Sequence, residues 1–345
     1  MAQINKPNTH MNTVLYTGNN TSQSITGVGF QPDWVWLKER NGTESHNLYD
    51  SVRGIYKRLS SDTTGAEYSS NTQLTSFDSD GFSVGSSDAI NDTGNSMVGW
   101  NWKAGGTASS NTDGTITSSV SANTTAGFSI VKYSGNSTAG ATVGHGLSTA
   151  PKMIIIKNLG VENWEVYHES LGNTKGIYLN EVDAAFPTSA RWNNTSPTSS
   201  VWTMGSTTAV NGTGVDYVAY CFSDVKGYQK SGSYIGNGQD TPNGVFTYLG
   251  FTPAFILIKA TDSNSWVMVD NKRPADSNPV DDSLAADSTA AETTGNTDTS
   301  FDFLSNGFRT NGNSGNNNSS GQEYIYYAVA EHPLVGTNGI PATAR

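Results

Sequence analysis

The sequence has few charged residues, one cysteine and no long apolar run. Lys, Arg, Asp and Glu make up 14% of its 345 residues, against about 25% in ordinary soluble domains. A single cysteine, Cys221, cannot form a disulfide within the chain, and no Cys/His cluster has zinc-ligand spacing. A membrane-spanning helix needs about 18 consecutive apolar residues, and no such run is present. The first residues also lack the apolar segment of a signal peptide.

Basic residues are scarce relative to acidic ones. There are 19 Lys and Arg against 30 Asp and Glu, which gives a net charge of −11. Nucleic acid is not expected as a ligand, because phosphate neutralisation needs Lys and Arg on one face. Hydrophobic residues are 35% of the chain and include 8 Trp, 15 Tyr and 12 Phe, enough to build a core. Low charge and abundant turn-forming residues favour an all-β fold with many hairpins.

Four sequence landmarks recur three times in the same order. The first is Tyr-x-Gly-Asn, at residues 16–19, 133–136 and 234–237. The second is a hydrophobic run between a Pro and a Lys six residues later, at residues 32–38, 151–157 and 253–259. A further apolar strand follows at residues 46–50, 164–168 and 266–270, and a closing one at 97–102, 217–222 and 324–329. The matching order and offsets predict three tandem copies of one unit.

Each predicted copy has about 100 residues, the size of one β-sandwich with little helix. The predicted organisation is an N-terminal arm (1–11), β repeats at 12–105, 128–228 and 229–333, a Gly/Ser/Thr-rich connector (106–127) and a C-terminal tail (334–345). The connector is either a pure linker or carries an added strand, since Thr115-Ile116-Thr117 alternates. Residues 281–292 are the best helix candidate, because they follow Pro279 and begin with Asp.

Two dipeptides predict tight hairpins. Asp80-Gly81 and Asn306-Gly307 are each bracketed by phenylalanines. Both dipeptides accept positive φ at the two central positions, which two-residue hairpins need.

One string has the pattern of a catalytic motif. Gly81-Phe82-Ser83-Val84-Gly85 fits the nucleophile elbow, which requires its serine on a sharp turn between a strand and a helix. No helical periodicity follows Ser83, and the third copy has Arg309 at the equivalent position. Cys221 lies in an apolar strand and is expected to be a small buried side chain. We therefore predict no enzyme and no cofactor.

Acidic and histidine residues give two further candidates. Asp78, Asp80, Asp88 and Asp92 carry the oxygen ligands that calcium prefers, but the closing bidentate Glu is missing and a turn is the favoured interpretation. His46, His145 and His168 are the interior histidines, without partners at the spacing of a metal site or a general base. His168 aligns with Asp50 and Asp270, which predicts a polar strand end on a solvated face.

Tryptophans fall into two groups. Trp34, Trp36 and Trp102 align with large apolar residues in the other copies, such as Phe222, and are expected in the core. Trp192 and Trp202 lie in a more irregular part of the second copy. They are candidates for an exposed platform on which a glycan stacks.

Several of these motifs resemble a known module. They are Tyr-Thr-Gly-Asn at 16–19, Gly-Val-Gly-Phe-Gln-Pro-Asp-Trp-Val-Trp-Leu-Lys at 27–38, Tyr-Asp-Ser-Val-Arg-Gly at 49–54, Phe-Asp-Ser-Asp-Gly-Phe at 77–82 and Ala-Val-Ala-Glu-His-Pro at 328–333. The module resembled is a repeated one of unknown function in virion structural proteins of tailed phages, especially phages of marine bacteria and cyanobacteria. The resemblance implies a virion protein made in the host cytoplasm, with no catalytic residues to carry over.

The expected function is a non-enzymatic part of a virion, namely an exposed tail appendage or fibre component that mediates assembly or host-surface contact. The alternative is a capsid decoration or cement protein, and a minor alternative is a carbohydrate-binding or depolymerising tail protein. Expected partners are further copies in a symmetric oligomer, other virion proteins, and a host-surface glycan or protein. A host-binding protein should expose an aromatic or polar pocket, whereas a decoration protein should show a flat docking face and extended termini.

Overall fold

The computed structural model describes residues 2–276 and 278–339, and these form an all-β protein with antiparallel sheets. The first part of the chain contains β1 (Met11–Thr17), β2 (Gln23–Thr26), β3 (Trp34–Glu39), β4 (Asn47–Asp50), β5 (Lys57–Arg58), β6 (Tyr68–Ser69), β7 (Leu74–Asp78), β8 (Gly81–Val84), α1 (Asp88–Asn91) and β9 (Ser96–Trp102). The order β1-β9-β3-β4 defines the first large sheet, and β2-β8-β7 the first small sheet. Strands β5 and β6 pair separately.

The middle part continues with β10 (Ser109–Asn111), β11 (Ser118–Asn123), β12 (Phe128–Ser134), β13 (Thr142–Gly144), β14 (Met153–Asn158), β15 (Trp164–His168), β16 (Lys175–Tyr178), β17 (Phe186–Pro187), β18 (Val201–Thr203), α2 (Thr208–Asn211) and β19 (Asp216–Phe222). The second large sheet has the order β10-β11-β12-β19-β14-β15-β16-β17, and β13-β18 form the second small sheet. Strands β10 and β11 lie in the segment 106–127, and β11 covers the edge of β12.

The last part contains β20 (Gln229–Ile235), β21 (Phe246–Tyr248), β22 (Phe251–Ala260), β23 (Trp266–Asp270), β24 (Leu284–Ala285), β25 (Phe301–Leu304), β26 (Gly307–Thr310) and β27 (Glu323–Pro333). The third large sheet has the order β20-β27-β22-β23-β24, and the third small sheet β21-β26-β25. Short 3₁₀ turns occur at Pro7–Thr9 and Thr297–Thr299. None of the described helices is long and apolar enough to cross a membrane.

The helix predicted at residues 281–292 is wrong. Leu284–Ala285 is a strand that pairs with β23, and Ser283 bridges Thr293. Leu284 and Ala286 are buried while Ala285 between them is half-buried. The apolar side chains therefore follow a period of two, which suits a sheet edge and not a helix.

Both predicted hairpins form, but their turn residues differ from the prediction. Asp78 pairs with Gly81 and Leu304 with Gly307, so the loop residues are 79–80 and 305–306. Neither Asp80 nor Asn306 has positive φ. Glycine is needed because of a close approach instead. A Cβ on Gly81 or Gly307 would lie 2.0 Å from a carbonyl oxygen of the neighbouring strand.

The three large sheets share one order of four strands. The first strand carries the tyrosine of the Tyr-x-Gly-Asn motif, and the closing strand lies beside it. The strand of the Pro–Lys run comes third, and the strand that follows it in the chain comes fourth. One face of each large sheet packs on its small sheet through a separate hydrophobic cluster. The opposite faces meet each other.

The meeting faces form a central core that contains side chains from all three large sheets. The ring of Trp34 lies 4.3 Å from that of Tyr220 and 4.4 Å from that of Trp102, between centroids. The predicted burial of Trp34, Trp36, Trp102 and Phe222 is confirmed, because each is only 1–2% exposed. Their side chains are buried between neighbouring large sheets and not within separate sandwiches.

The terminal segments pack on the chain itself. The backbone N–H of Ala2 donates to Val335 O at 3.0 Å, and that of Gln3 to Lys226 O at 3.0 Å. Ile4 is buried in the central core. The described part of the predicted N-terminal arm is therefore not an extended arm. Of the predicted tail, residues 340–345 lie outside the described residues.

We expect Trp102→Ala to lower the free energy of unfolding by about 3–5 kcal/mol, because it leaves a cavity among tightly packed rings. The ring of Phe255 from the third large sheet lies 5.7 Å from that of Trp102, so the loss affects contacts between sheets. Chemical denaturation would measure it. Val161→Ala is the control, since Val161 is 75% exposed. Equal stability of the two variants would contradict the central core.

Candidate functional site

The predicted nucleophile pattern has no elbow geometry. Ser83 lies inside strand β8, and its hydroxyl donates to Asp78 Oδ2 at 2.6 Å and is 2.8 Å from Ser24 Oγ. These contacts join neighbouring strands of the first small sheet. Ser83 therefore has the surroundings of a sheet residue.

Of the four aspartates considered for calcium, Asp78, Asp80 and Asp92 accept hydrogen bonds from other groups of the protein. Asp80 accepts from the backbone N–H groups of Gly27 and Gly29 at 3.1 and 2.7 Å, and Asp92 accepts from Asn95 Nδ2 at 3.0 Å. Asp88 begins α1. Within residues 2–276 and 278–339, no three His, Cys, Asp or Glu side chains lie close enough together to hold a metal ion.

The glycan platform predicted at Trp192 and Trp202 is wrong. Both side chains are 1% exposed, so neither ring has a free face. The Trp192 indole donates to Lys175 O at 3.0 Å, and the Trp202 ring packs edge-on against Tyr133 at 5.6 Å. The loop after β17 is irregular in sequence, but it folds back to fill the core beneath the second small sheet. Cys221 is buried as predicted.

The solvated strand end predicted at His168 is also wrong. His168, Asp50 and Asp270 are 0–1% exposed. Each is polar because it accepts from the backbone N–H two residues later, on Ser170, Val52 and Lys272, at 2.9–3.2 Å. Each of these three strand ends is therefore buried and still needs a side chain that accepts a hydrogen bond. His46 and His145 are buried as well.

The other polar atom of each of these side chains bonds to the next large sheet. Asp50 accepts from the Tyr220 hydroxyl at 2.8 Å, and Asp270 accepts from the Trp100 indole at 2.9 Å. The His168 ring donates from Nε2 to Tyr326 O at 3.1 Å. The first sheet thus bonds to the second, the second to the third, and the third to the first.

A second set of contacts closes the same circle. Trp164 and Trp266 donate their indole N–H to Ser60 O and Tyr178 O at 2.9 and 2.7 Å, and His46 Nε2 lies 3.0 Å from Ala285 O. Seven residues after each acceptor, a backbone N–H donates back to the part of the chain that supplied the indole or imidazole nitrogen. These bonds are Glu67 to Leu159, Ala185 to Thr261 and Glu292 to Arg40, at 2.9, 2.9 and 2.7 Å.

Three buried lysines hold the loops at these contacts. The ammonium groups of Lys38, Lys157 and Lys259 end the Pro–Lys runs and donate to backbone carbonyls of their own loops. Lys157 also reaches Thr64 O at 3.3 Å, and Lys259 reaches Val182 O at 3.1 Å, both across an interface. Burial lowers the pKa of Lys157 and Lys259 to about 8. These charged groups therefore serve the fold.

An open groove lies where the termini meet the third large sheet. Its volume is about 630 Å³, and its walls come from the chain ends, the turn before β20, and the turn between β21 and β22. Asp224, Lys226 and Lys230 line it beside Tyr248, which is 55% exposed. Lys230 donates to Tyr248 O at 2.8 Å and lies 5.7 Å from the ring centroid of Tyr248. This groove is the candidate functional site.

The sequence analysis did not find this groove. Its residues come from four separated segments, and none belongs to the motifs singled out above. The available signal was Tyr248 together with Phe246, two aromatics at alternate positions of a short strand.

A family model matches residues 6–333, and its family is described as Domain of unknown function (DUF7483). No curated protein and no solved structure matches the chain.

We expect His168→Gln to weaken the pH dependence of stability in acid. Burial lowers the pKa of His168 from 6.5 to about 4. Between these values the unfolded chain takes up a proton that the folded chain does not, so the free energy of unfolding falls as the pH drops. The variant should remove on the order of 3 kcal/mol of that fall. Denaturation at several pH values would measure it.

The matched control for His168→Gln is His332→Gln, because His332 is exposed. His46 is also buried with a lowered pKa, and both variants retain it. An acid profile of His168→Gln that coincides with that of His332→Gln would contradict the neutral, buried state of His168.

We expect Asp50→Ala to cost about 3 kcal/mol or more of unfolding free energy, because it removes the more deeply buried of the two carboxylates, Asp50 and Glu67, that pair with the Arg53 guanidinium. Arg53 Nε lies 2.5 Å from Asp50 Oδ2, and both side chains are almost fully buried. The control is Glu169→Ala, which breaks an exposed pair with Lys152 and should cost less than about 1 kcal/mol. Urea titration would compare them, and a cost of Asp50→Ala below that of the control would contradict the predicted role.

Proposed function

Since the chain belongs to the DUF7483 family, whose description assigns no activity, we propose its function from its own residues and geometry. The protein is a non-enzymatic structural component of a phage virion, located in an exposed tail appendage or fibre. It mediates assembly or contact with the host surface. The motifs at residues 16–54, 77–82 and 328–333, which resemble modules of virion proteins, support the virion location.

We also infer that the chain consists of three homologous β-sandwich-like units. The ordered landmarks, the common strand order and the contacts at equivalent positions support this inference. Three similar units around one core give a single chain the outline of a trimer. Such a body fits the symmetric positions that virion parts occupy.

The observation that carries the structural role is the closed circle of contacts between the large sheets. The buried Asp, His and Lys side chains at these interfaces bond to backbone groups or to neighbouring side chains. Burial raises the pKa of the Cys221 thiol, which opposes its ionisation and so its use as a nucleophile. Buried polar groups that hold the sheets together suit a protein with a mechanical role or one that acts as a spacer between other virion proteins.

Two observations favour a tail appendage over a capsid decoration protein. The exposed aromatic and charged residues of the groove match what a host-contacting surface needs. The described terminal segments pack on their own chain at Ala2, Gln3 and Val335, whereas a cement protein would extend such segments over its neighbours. The capsid decoration role is the second candidate.

Self-association is part of the proposal. Strands β1 and β20 are edge strands of their large sheets, while the equivalent edge of β12 is covered by β11. Uncovered edges are templates for pairing with another chain. A symmetric oligomer and contacts with other virion proteins are therefore proposed.

Antibody labelling of intact virions, viewed by electron microscopy, tests the proposed location. We expect label on the tail appendages, and virions of a phage with another tail protein are the control. Label over the capsid faces would favour the decoration role, and absence from purified virions would contradict the virion proposal. Purified protein that depolymerises host surface polysaccharide would contradict the non-enzymatic role.

A further inference from the structure

Strand β21 of the third small sheet has inverted polarity. Phe246 and Tyr248 are 46% and 55% exposed, whereas Thr247 between them is 8% exposed. The buried hydroxyl of Thr247 has no hydrogen-bond partner. A strand that covers a core normally places its apolar residues inside and its polar residues outside.

The equivalent strands of the other small sheets have the normal polarity. Thr247 pairs with Phe308, as Ile25 pairs with Phe82 and Val143 with Trp202. By the same registers, Tyr248 corresponds to Thr26 and Gly144, and Phe246 to Ser24 and Thr142. The fold therefore does not require aromatics at these outer positions. Their presence in the third sheet calls for a role outside the fold.

The groove beside Tyr248 offers unused hydrogen-bonding groups. Asp224 Oδ1 accepts from Ser231 N at 2.8 Å, and Asp224 Oδ2 accepts from none of the described residues. The ammonium of Lys226 has no partner among the described residues, and the amide nitrogen of Gln3 donates to none of them. Residues with hydrogen-bonding side chains thus line the same groove as the exposed ring of Tyr248, together with the apolar residues Leu249 and Phe251.

We propose that this groove binds a sugar residue of a surface polysaccharide, with the ring of Tyr248 as its stacking platform. Sugars present hydroxyl groups that both donate and accept, together with a C–H face that packs on an aromatic ring. The mixture of Asp224 with Lys226 suits such a ligand better than an anion, which the carboxylate would repel. The volume of about 630 Å³ also lies in the range of pockets that bury small ligands.

A partner protein fits these observations less well. Stable protein interfaces bury more than about 1,000 Å², whereas the inverted polarity is confined to one three-residue strand and its adjoining groove. The inference rests on the proposed contact with a host surface, and it names a surface glycan as the group contacted.

The test is binding of the full-length protein to an array of purified bacterial surface polysaccharides and their oligosaccharides. We expect at least one class of glycan to be retained, and Tyr248→Ala to weaken its binding by tenfold or more. Phe246→Ala should weaken binding less, because Phe246 does not line the groove. Tyr248→Phe should retain most of the affinity, since the ring persists.

The matched control is Tyr68→Ala. Tyr68 is 54% exposed, like Tyr248, and lies on β6, away from the groove. Its replacement should leave glycan binding unchanged, and the thermal unfolding of each variant should match that of the parent. Equal binding by Tyr248→Ala and the parent would overturn the proposal.

Absence of retention on the array would also overturn it, while labelling of the virions would still test the proposed function separately. The last part of the test measures binding of the protein to host cells. Binding that survives periodate oxidation of cell-surface sugars but is lost after protease treatment would assign the groove to a protein partner and overturn the glycan proposal.

Discussion

The three large sheets pack their inner faces against one central core, and this packing dictates which residues each strand can carry. Each large sheet is covered on both faces, by its small sheet and by the other two large sheets. A strand covered on both faces must be apolar at consecutive positions. This explains the runs Trp-Val-Trp-Leu, Met-Ile-Ile-Ile and Phe-Ile-Leu-Ile at the start of the Pro–Lys strands.

Burial on both faces also creates a problem at the strand ends, where backbone groups and charged side chains leave water. An unpaired buried polar group is costly, so each one needs a partner. The chain supplies partners from the neighbouring sheet: an Asp, His or Lys at the end of one strand bonds to an indole, hydroxyl or carbonyl of the next sheet. The same atoms therefore relieve burial and fix how the sheets sit relative to each other.

The side chains that bond to the next sheet differ in charge among the three large sheets. Asp50 and Asp270 each pair with an arginine three residues later. His168 instead makes its contact with the next sheet as a neutral ring. The geometry is retained while the charge is not. The groove proposed to bind a glycan lies beside strand β21, where the three parts of the chain differ. This strand exposes aromatics and buries a threonine, unlike the strands at the same place in the other small sheets.

The amino-acid sequence predicted the all-β class, the positions of the two hairpins and the burial of Trp34, Trp36 and Trp102. These follow from local patterns of apolar residues and glycine, which act through neighbours in the chain or the sheet. The packing of the alternating segment at residues 284–286 and the burial of His168, Trp192 and Trp202 became visible only in the folded protein. Their environments come from segments far away in sequence, such as Tyr326 beside His168. The groove was missed for the same reason, because four separated segments converge there and a linear pattern does not show which segments meet.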